Sequence, residues 1–354
     1  MRRLASVAQI ARVEDLEGDG GYCVASLEGR GWQVVVRGGG LSAGMRVVYF
    51  EIDSVLPLGD ARFARLAREA PSAWTRRDGE LVVRSARIGG CLSQGALLPL
   101  SEFPELDGLE DGADVTTALG VTLERTDGMA GAAEGRGTFP GFVPKTDEER
   151  IQNRMDFFRT MRGRFFEVTE KLDGTSMTVF HSRLYQDGSP FRVCSRNLDL
   201  KAAEESPYWR VARKYDLRTK LRTWARELAF QGELVGPGIN GNRGGFAELE
   251  WRVFRIWDIA RACFLETTER RALCRRLGIP HVPVVNGACP VFDRYPTLNL
   301  LLASADGTGM TGRPREGLVF KEAGSRLPAS FKIVSNRYLL GPDCHHVDCV
   351  TAIA

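Results

Sequence analysis

Short apolar strands separated by glycine turns are the main pattern of the first 120 residues. A helix-type spacing within this region predicts one short helix over Asp60–Ala70. Alternating apolar and polar positions predict strands at Gly21–Leu27, Trp32–Arg37, Met45–Asp53, Glu80–Ala86 and Ala96–Leu100. Several short strands at close spacing are typical of a small barrel or sandwich. We therefore predict a small β domain over residues 1–125.

A glycine-rich stretch follows this β region. Asp127–Gly141 contains five glycines and Pro140, a composition typical of a linker. We predict a linker over residues 126–143, which separates the β domain from a second domain over residues 144–354.

Helical and strand patterns mix in the second domain. Phe165–Glu170 is a predicted strand, and Thr175–Ser182 is its predicted hairpin partner. Helical spacing predicts one helix over Tyr208–Leu228 and another that ends at Leu277. Further strands are predicted at Ile279–Val285, Glu316–Lys321 and Ser330–Ser335. This order of elements favours an α+β domain built on antiparallel sheet over a doubly wound fold.

Composition places the chain among ordinary globular proteins. Apolar residues make up 43% and charged residues 26% of 354 residues, which excludes a mainly disordered chain. No run approaches the roughly 18 apolar residues of a membrane helix, and Arg12, Glu14 and Asp15 interrupt the start before a signal core forms. We expect a mature cytoplasmic protein. The eight cysteines lack tight spacing, so we expect free thiols in a reducing compartment.

The basic residues are strongly biased towards arginine. Only seven of the 48 Lys and Arg residues are lysines. The simplest explanation is the coding composition of the source genome. The bias still directs attention to the remaining lysines, because lysine can lose its proton and act as a nucleophile, whereas arginine in practice cannot.

One segment combines a lysine and a carboxylate at a tight turn. Lys171, Asp173 and Gly174 directly follow the predicted strand Phe165–Glu170. Such a turn can present a nucleophilic amine beside a carboxylate. A surface hairpin with a salt-bridged lysine is the structural alternative, because a motif of this length also occurs by chance.

Charged residues recur within apolar strand patterns further along the chain. Glu233, Glu316, Lys321 and Lys332 all lie in or beside such runs. Charged side chains at these positions are costly unless they are paired or bound to a charged ligand. A bound phosphate together with a metal ion would account for all four.

In their order along the chain, these segments resemble the motifs of covalent nucleotidyltransferases, the group that contains polynucleotide ligases and mRNA capping enzymes. The resemblance extends over about residues 165–340 and through six motifs. Lys171–Gly174 is similar to motif I, Ser195–Asn197 to motif Ia, Glu233 to motif III, Arg252–Ile259 to motif IIIa, Glu316–Lys321 to motif IV and Phe331–Ile333 to motif V.

The domain order narrows this resemblance. DNA ligases and capping enzymes carry their OB barrel after the nucleotidyltransferase domain, whereas the barrel-like region here comes first. That order is similar to the nick-sealing, ATP-dependent RNA ligases of the Deinococcus type, and Pro144–Asn153 resembles their nucleotide-contacting segment. The resemblance implies an α+β protein with an OB-like domain over 1–125 and an antiparallel-sheet, ATP-grasp-like ligase domain over 144–354. Some RNA ligases have Lys-x-Lys in motif V, but Ser330 precedes Phe331 here, so only Lys332 matches.

The resemblance also implies a reaction and its catalytic residues. Lys171 would attack the α-phosphorus of ATP and form a lysyl-adenylate, from which AMP passes to a 5′-phosphate end before a 3′-hydroxyl displaces it. Asp173, Glu233 and Glu316 would hold a hydrated Mg²⁺ or Mn²⁺, which suits hard oxygen ligands. Lys332, together with Lys321, would neutralise the α-phosphate.

Further residues would contact the nucleotide. Arg196 would hold the ribose or a nucleic-acid phosphate. Phe254 would stack on adenine with Val319 on the other side, and ordinary core packing is the alternative for Phe254. The other implied nucleotide contacts are Glu170, Asp173, Gly174, Arg150, Gln152, Asn153, Lys321 and Lys332.

The implied partner is a nicked duplex with an RNA 3′-hydroxyl end, held in part by the N-terminal domain. We expect no membrane and no protein partner. The alternatives are an ATP-dependent DNA ligase, a capping guanylyltransferase and a non-catalytic nucleic-acid-binding protein with an inactive ligase scaffold. The domain order weighs against the first two, and the complete set of Lys171, Glu233, Glu316 and Lys332 weighs against the third.

Two further patterns are separate from this interpretation. Five basic residues recur every four positions, namely Arg210, Lys214, Arg218, Arg222 and Arg226. We interpret them as a solvated helix face, with nucleic-acid contact as the alternative. Near the end of the sequence, Cys344, His345, His346 and Cys349 match no standard zinc spacing. We therefore favour a segment without zinc, with a metal site as the alternative.

Overall fold

The chain forms two compact units in a computed structural model, which describes residues 3–16, 21–37, 40–124, 134–184, 189–224 and 226–340. The first unit is drawn from Met1–Arg125, Ile151–Thr160 and Leu339–Ala354, and the second from Thr126–Arg150 and Met161–Tyr338. The two units are therefore not simply consecutive. Ile151–Thr160 was predicted in the second domain, and the structure groups it with the first unit.

The first unit is built mainly from antiparallel strands. Its strands are β1 (Ala5–Asp15), β2 (Tyr22–Leu27), β3 (Gln33–Arg37), β4 (Arg46–Phe50), β5 (Ser54–Pro57), β6 (Thr75–Arg77), β7 (Glu80–Val82), β8 (Ser85–Ile88), β9 (Cys91–Gln94), β10 (Ala96–Pro99) and β11 (Thr122–Leu123). They form a five-stranded sheet in the order β10-β4-β1-β2-β3, a four-stranded sheet in the order β11-β5-β7-β6, and the hairpin β8-β9. The predicted small β domain is confirmed.

Strand β1 links two parts of the larger sheet. Its first half, Ala5–Gln9, pairs with β4, and its second half pairs with β2 after a register shift between Ile10 and Arg12. A bulge of this kind bends a strand. The sequence pattern missed β1 because Ala5 to Ala8 are all buried, so no alternation of apolar and polar residues marks the strand.

Helices in the first unit are short. Helix α1 (Ala61–Glu69) matches the predicted helix, and Asp60 caps it by accepting a hydrogen bond from the Arg62 backbone N–H at 2.8 Å. The 3₁₀ turns Leu100–Glu102, Pro104–Leu106 and Ile151–Asn153 and helix α2 (Phe157–Thr160) complete the unit.

The second unit contains two antiparallel sheets and six helices in its described part. Its strands are β12 (Gly135–Thr138), β13 (Phe166–Lys171), β14 (Thr175–His181), β15 (Phe191–Cys194), β16 (Leu198–Leu200), β17 (Leu228–Val235), β18 (Glu250–Asp258), β19 (Cys263–Phe264), β20 (Val284–Cys289), β21 (Gly317–Glu322) and β22 (Ser330–Val334). Its helices are α3 (Pro207–Lys214), α4 (Leu217–Arg222), α5 (Thr267–Leu277), α6 (Val291–Arg294), α7 (Leu298–Ala303) and α8 (Asn336–Leu340), whose last two residues are grouped with the first unit. A 3₁₀ turn covers Asn240–Asn242.

Each sheet of the second unit has an apolar face. The seven-stranded sheet, in the order β12-β16-β15-β14-β17-β18-β19, packs residues such as Val179 and Phe230 against α3, α4 and α5. The four-stranded sheet, in the order β20-β13-β21-β22, packs Phe166, Phe320 and Phe331 together with Phe292. The opposite face of the seven-stranded sheet carries a second apolar cluster that includes Phe180 and Ala229. The opposite face of the four-stranded sheet carries polar side chains.

The predicted hairpin between β13 and β14 is wrong. Strand β13 pairs with β20 and β21, whereas β14 pairs with β15 and β17 in the other sheet. The turn Leu172–Gly174 therefore passes from one sheet to the other. The apolar and polar alternation of a strand does not specify its neighbour, and the turn brings Gly174 against the backbone of β17 in the second sheet.

The predicted linker also contains structure. Gly135–Thr138, within the predicted linker 126–143, is the edge strand β12 and pairs with β16. The glycines of this segment do not prevent it from forming a strand, because an edge strand pairs through its backbone on one side only.

The long helix predicted over Tyr208–Leu228 is two helices. The chain breaks at Asp216, whose φ of 47° is left-handed, and Leu228 already begins β17. The basic stripe is therefore divided between α3 and α4. Its last member, Arg226, lies outside both helices and forms ion pairs with Asp258 at 2.5 Å and Glu269 at 2.8 Å, so it is no part of a helix face.

The expectations about cysteines and membrane helices are compared with the structure for the described residues alone. Six cysteines lie in this part of the chain and none forms a disulfide. None of the helices there has both the length and the apolar character needed to cross a bilayer. Cys344, His345, His346 and Cys349 lie outside the described residues.

Candidate active site

Lys171 and Glu316 meet because β13 and β21 are neighbours. Lys171 is the last residue of β13 and pairs in register with Gly317, so Glu316 lies directly beside it. The Lys171 Nζ donates a hydrogen bond to Glu316 Oε1 at 2.5 Å. Their side chains are 23% and 15% exposed, so this ion pair is largely shielded from solvent.

Two more carboxylates act on this ion pair. Burial lowers the pKa of Lys171, but Glu316, Glu233 and Asp173 outweigh that effect and raise it. Burial raises the pKa of Glu233 to about 8 and also raises the pKa of Glu316. One amine thus shares its surroundings with three acidic residues, all of which the sequence had singled out.

The polar face of the four-stranded sheet carries the other predicted lysines. Successive residues of a strand point to opposite faces, and the register places Thr169 beside Val319 and Val319 beside Lys332. Because Lys171 and Lys321 lie two positions from Thr169 and Val319 respectively, they share this face. The structure therefore brings Lys171, Lys321, Lys332 and Val319 to one side of the sheet.

Lys321 is the most buried of these lysines. It is 2% exposed, and its Nζ lies 5.7 Å from the centre of the Phe254 ring. Burial lowers the pKa of Lys321 to about 7, although Glu148 acts in the opposite direction. Phe254 itself packs against the cluster of Leu172, Val235, Phe246 and Val282 while remaining partly exposed.

The residues Glu149 and Arg150, directly before Ile151, lie beside β22. The Lys332 backbone N–H donates to the Glu149 carbonyl at 2.8 Å, and Arg150, which is buried, forms a parallel bridge with Lys332. Glu148 forms an ion pair with Arg255 at 3.0 Å. Burial raises the pKa of Glu148, but Arg255 and Lys321 outweigh that effect and lower it.

Asp147 connects two of the predicted phosphate-binding residues. Its Oδ2 lies 2.7 Å from the Arg196 guanidinium, and its Oδ1 lies 3.3 Å from Lys332 Nζ. Sequence reasoning missed Asp147, Glu148 and Arg255 as members of the site. A signal existed for all three, since Asp147 and Glu148 lie within Pro144–Asn153 and Arg255 lies within Arg252–Ile259, two segments that resemble the family.

Gln152 and Asn153 lie in the first unit. The Gln152 carbonyl accepts a hydrogen bond from Gly31 at 2.8 Å, and Asn153 Oδ1 accepts one from the Trp32 indole at 2.5 Å. Both predicted nucleotide contacts are therefore engaged by residues of the N-terminal unit.

Glu170 and Gly174 lie on either side of the lysine and have different surroundings. Glu170 accepts hydrogen bonds from the Met310 backbone N–H at 3.1 and 3.2 Å, and it lies on the opposite face of β13 from Lys171. At Gly174, an added Cβ would lie 2.7 Å from Val235 Cγ1 and would strike the Leu234 carbonyl. Glycine is therefore required for close packing on β17.

Asp173 has a partner that the sequence did not suggest. The Tyr338 hydroxyl donates a hydrogen bond to Asp173 Oδ2. The two residues are far apart in the chain, so no local pattern links them.

The carboxylates fit a metal ion held through water. In the part of the chain that the structure describes, no three His, Cys, Asp or Glu side chains form a ready-made metal site. The Oε2 atom of Glu316 is nevertheless buried without a hydrogen-bond partner. A free, buried carboxylate oxygen beside Asp173 and Glu233 suits a hydrated Mg²⁺ or Mn²⁺, which keeps several of its waters.

Comparisons with known proteins give matches to two family models. A family model for RNA ligases matches residues 164–334, and a model for an OB-fold domain matches residues 4–100. None of the curated proteins matches the chain.

Solved structures of a Naegleria gruberi RNA ligase are similar over almost the whole chain. One, a variant with ATP and Mn, is 34% identical with a TM-score of 0.84, and the alignment covers 96% of this chain and 98% of that chain. The same ligase with PPi gives the same four values. A variant with AMP and Mn is 33% identical, with a TM-score of 0.83 and coverage of 96% and 98%. With an OB-fold domain ahead of the ligase domain and this similarity along its length, the chain belongs to the RNA ligase family.

Proposed function

We propose that this RNA ligase uses ATP to form a lysyl-adenylate on Lys171 and seals nicks whose 3′-hydroxyl end is RNA. The observation that carries the proposal is the position of Lys171 Nζ, 2.5 Å from Glu316 Oε1, on a sheet face that also carries Lys321 and Lys332. The similar Naegleria structures with ATP, AMP and Mn support the same nucleotide and metal here.

The first step forms one bond and breaks one. The Lys171 Nζ attacks the α-phosphorus of ATP, a P–N bond forms, the bond to the β-phosphate oxygen breaks, and pyrophosphate leaves. Nζ loses a proton in this step. Glu316 Oε1 is the acceptor already in contact with Nζ, so it both aims the amine and is placed to take that proton.

Three carboxylates would hold the metal. Asp173, Glu233 and Glu316 supply the hard oxygen ligands that Mg²⁺ and Mn²⁺ prefer. When bound, such an ion supplies positive charge that offsets the carboxylates around Lys171 and the charge on the α-phosphate.

Cations on the polar face would hold the phosphates. Lys332 and Arg196 are both engaged by Asp147, and a phosphate would take the place of that carboxylate. Lys321, with its ammonium near the Phe254 ring, would extend this positive surface. Phe254 keeps an exposed part on which adenine would stack, with Val319 on the other side.

The later steps join two nucleic-acid ends. AMP passes from Lys171 to the 5′-phosphate of a strand, the P–N bond breaks, and Lys171 regains its amine. The 3′-hydroxyl then attacks the activated phosphorus, the new phosphodiester forms, and AMP leaves. We assign duplex binding next to the nick to the N-terminal unit, because OB folds commonly bind nucleic acid.

Adenylylation tests the central step. The protein is incubated separately with α-labelled ATP, α-labelled GTP and adenylate-labelled NAD⁺ in the presence of Mg²⁺ or Mn²⁺, and the labelled residue is then mapped. We expect an acid-labile adduct from ATP alone, located on Lys171 and absent in Lys171→Ala. An adduct on another residue, or a better yield with GTP, would contradict the proposal.

The substrate class is tested with matched nicks. Nicked duplexes with ribose or deoxyribose at the 3′-hydroxyl end are compared under single-turnover conditions. We expect sealing only where the 3′ end is RNA. Equal sealing of all-DNA nicks would reject the RNA assignment while leaving the adenylylation result intact.

A further inference from the structure

Tyr338 is restrained by contacts to its backbone and to its ring. Its backbone N–H donates to Ser335 Oγ at 3.1 Å, and its carbonyl accepts from Arg243 at 2.9 Å. The Arg243 guanidinium also lies 4.1 Å from the centre of the tyrosine ring. The residue is 9% exposed, so the hydroxyl has little freedom to point elsewhere.

The Tyr338 hydroxyl points at the Asp173 carboxylate, in the turn Leu172–Gly174. It donates a hydrogen bond to Asp173 Oδ2. Within the described residues, no other hydrogen bond to the Asp173 side chain is present. Tyr338 therefore determines which way this carboxylate faces, two residues after Lys171.

The same short segment is attached to Glu316. The Ser335 backbone N–H donates to the Glu316 carbonyl at 2.8 Å, and the Ser335 hydroxyl donates to Asp306 Oδ1 at 2.6 Å. Glu316, Ser335, Tyr338 and Asp173 are thus connected by successive contacts. The start of α8 consequently fixes two of the three acidic residues around Lys171 relative to each other.

We propose that Tyr338 is a positioning residue for adenylylation, which orients Asp173 so that its free oxygen faces the site of Lys171 and Glu316. This inference rests on the proposed chemistry at Lys171. Tyr338 does not contact the reacting atoms in this role. It acts by keeping one oxygen of Asp173 occupied and the other aligned, as partners of ligand side chains generally do.

The test removes only the hydroxyl. Tyr338→Phe keeps the ring that packs under Arg243, and the single-turnover rate of adenylylation is measured at saturating ATP over a range of Mn²⁺ concentrations. We expect a rate at least tenfold below that of the unchanged protein, and a higher Mn²⁺ concentration for half-maximal rate. The thermal midpoint of the variant, measured alongside, shows that it is folded.

A matched control loses a tyrosine hydroxyl elsewhere in the same unit. Tyr208→Phe removes a contact of 3.2 Å with the Thr175 hydroxyl. We expect its rate and Mn²⁺ requirement to stay within twofold of the unchanged protein.

A double-mutant cycle identifies the route of the effect. If Tyr338 acts through Asp173, Tyr338→Phe will change the residual rate of Asp173→Asn less than twofold. The inference is overturned by a Tyr338→Phe rate within twofold of the unchanged protein, by an equal loss at every Mn²⁺ concentration, or by additive effects in the cycle. If the unchanged protein forms no adduct on Lys171, the proposed function fails instead.

Discussion

Lys171 and Glu316 are separated by 145 residues, yet their Nζ and Oε1 atoms lie 2.5 Å apart. The pairing of β13 with β21 produces this contact, since Lys171 stands opposite Gly317. The lysine is thereby held against a carboxylate whose other oxygen, Oε2, is buried without a hydrogen bond. Such an arrangement serves chemistry better than stability, because an unsatisfied buried oxygen carries a free-energy cost.

We predict that Glu316→Gln separates activity from stability. The amide keeps the shape and an oxygen for Lys171, but it removes one charge from an acidic cluster in which burial raises the pKa of both Glu316 and Glu233. We expect adenylylation to fall at least tenfold, while the thermal midpoint stays the same or rises. Glu248→Gln, at an exposed glutamate paired with Lys214, is the control and should leave both quantities unchanged. Retained adenylylation would contradict the assigned role.

The sequence predicted the site residues that lie within short, recognisable motifs. Lys171 ends a strand and Asp173 lies in the turn after it. Glu233, Glu316 and Lys332 each stand out as charges in or beside apolar strands. What the sequence could not supply were their partners. The pairs Tyr338–Asp173 and Arg255–Glu148 join residues more than 100 positions apart, and local periodicity carries no information on such contacts.

The fold was predictable where a strand or helix has one buried face. Helix α1 and strand β2 show that pattern, and their predicted positions agree with the structure to within a residue. The hairpin prediction for β14 failed because strand patterns do not specify the neighbour of a strand. The long helix failed at Asp216, where a left-handed backbone conformation interrupts an otherwise continuous helical spacing.

A buried ion pair on the polar face of the four-stranded sheet is expected to be costly to break. Arg270, on α5, forms an ion pair with Glu167, and the side chains are 2% and 0% exposed. Arg271 contacts the same carboxylate at 3.3 Å, and Arg270 Nε donates to His281 Nε2 at 3.0 Å. Burial, followed by the charge of Arg270, lowers the pKa of His281 to about 3, so the ring is neutral and its Nε2 is free to accept.

We predict that Glu167→Gln lowers the free energy of unfolding by about 3 kcal/mol, because it leaves the buried Arg270 without its counter-charge. In a matched cycle, the single variants are Glu167→Leu and Arg270→Met. The double variant Glu167→Leu with Arg270→Met removes both charges and should lose much less than the sum of these two single changes. Urea unfolding of the four proteins measures the coupling. Additive losses would show that the pair is not the stabilising unit.

Lys321 gives a prediction for the pH dependence of stability. Its pKa is lowered from 10.5 to about 7, mainly by burial. Between these two values the unfolded chain keeps the proton that the folded protein has lost, so stability rises with pH across this window. Below pH 7 both states hold the proton, and the folded protein carries the full cost of a buried cation.

Lys321→Met removes this dependence. We expect the variant to be more stable than the unchanged protein at pH 7, and the difference to shrink by about 2 kcal/mol between pH 7 and pH 9. Other titrating groups are common to both proteins and cancel in the comparison. Chemical unfolding at the two pH values measures the difference. A gap that does not change with pH would show that Lys321 is charged in the folded protein throughout this range.

Gly174 tests whether close packing positions the lysine turn. A Cβ at this residue would strike the Leu234 carbonyl and come within 2.9 Å of Glu233 Cγ, so the turn Leu172–Gly174 would have to move away from β17. We expect Gly174→Ala to lower the free energy of unfolding by about 1–3 kcal/mol and to reduce adenylylation beyond what partial unfolding explains, because Lys171 and Glu233 are displaced relative to each other. Gly141→Ala is the matched control, since nothing lies within 4 Å of its Cβ position. Adenylylation assayed well below the melting transition separates the two effects. A fully active, fully stable Gly174→Ala would show that the turn can shift at no cost to the site.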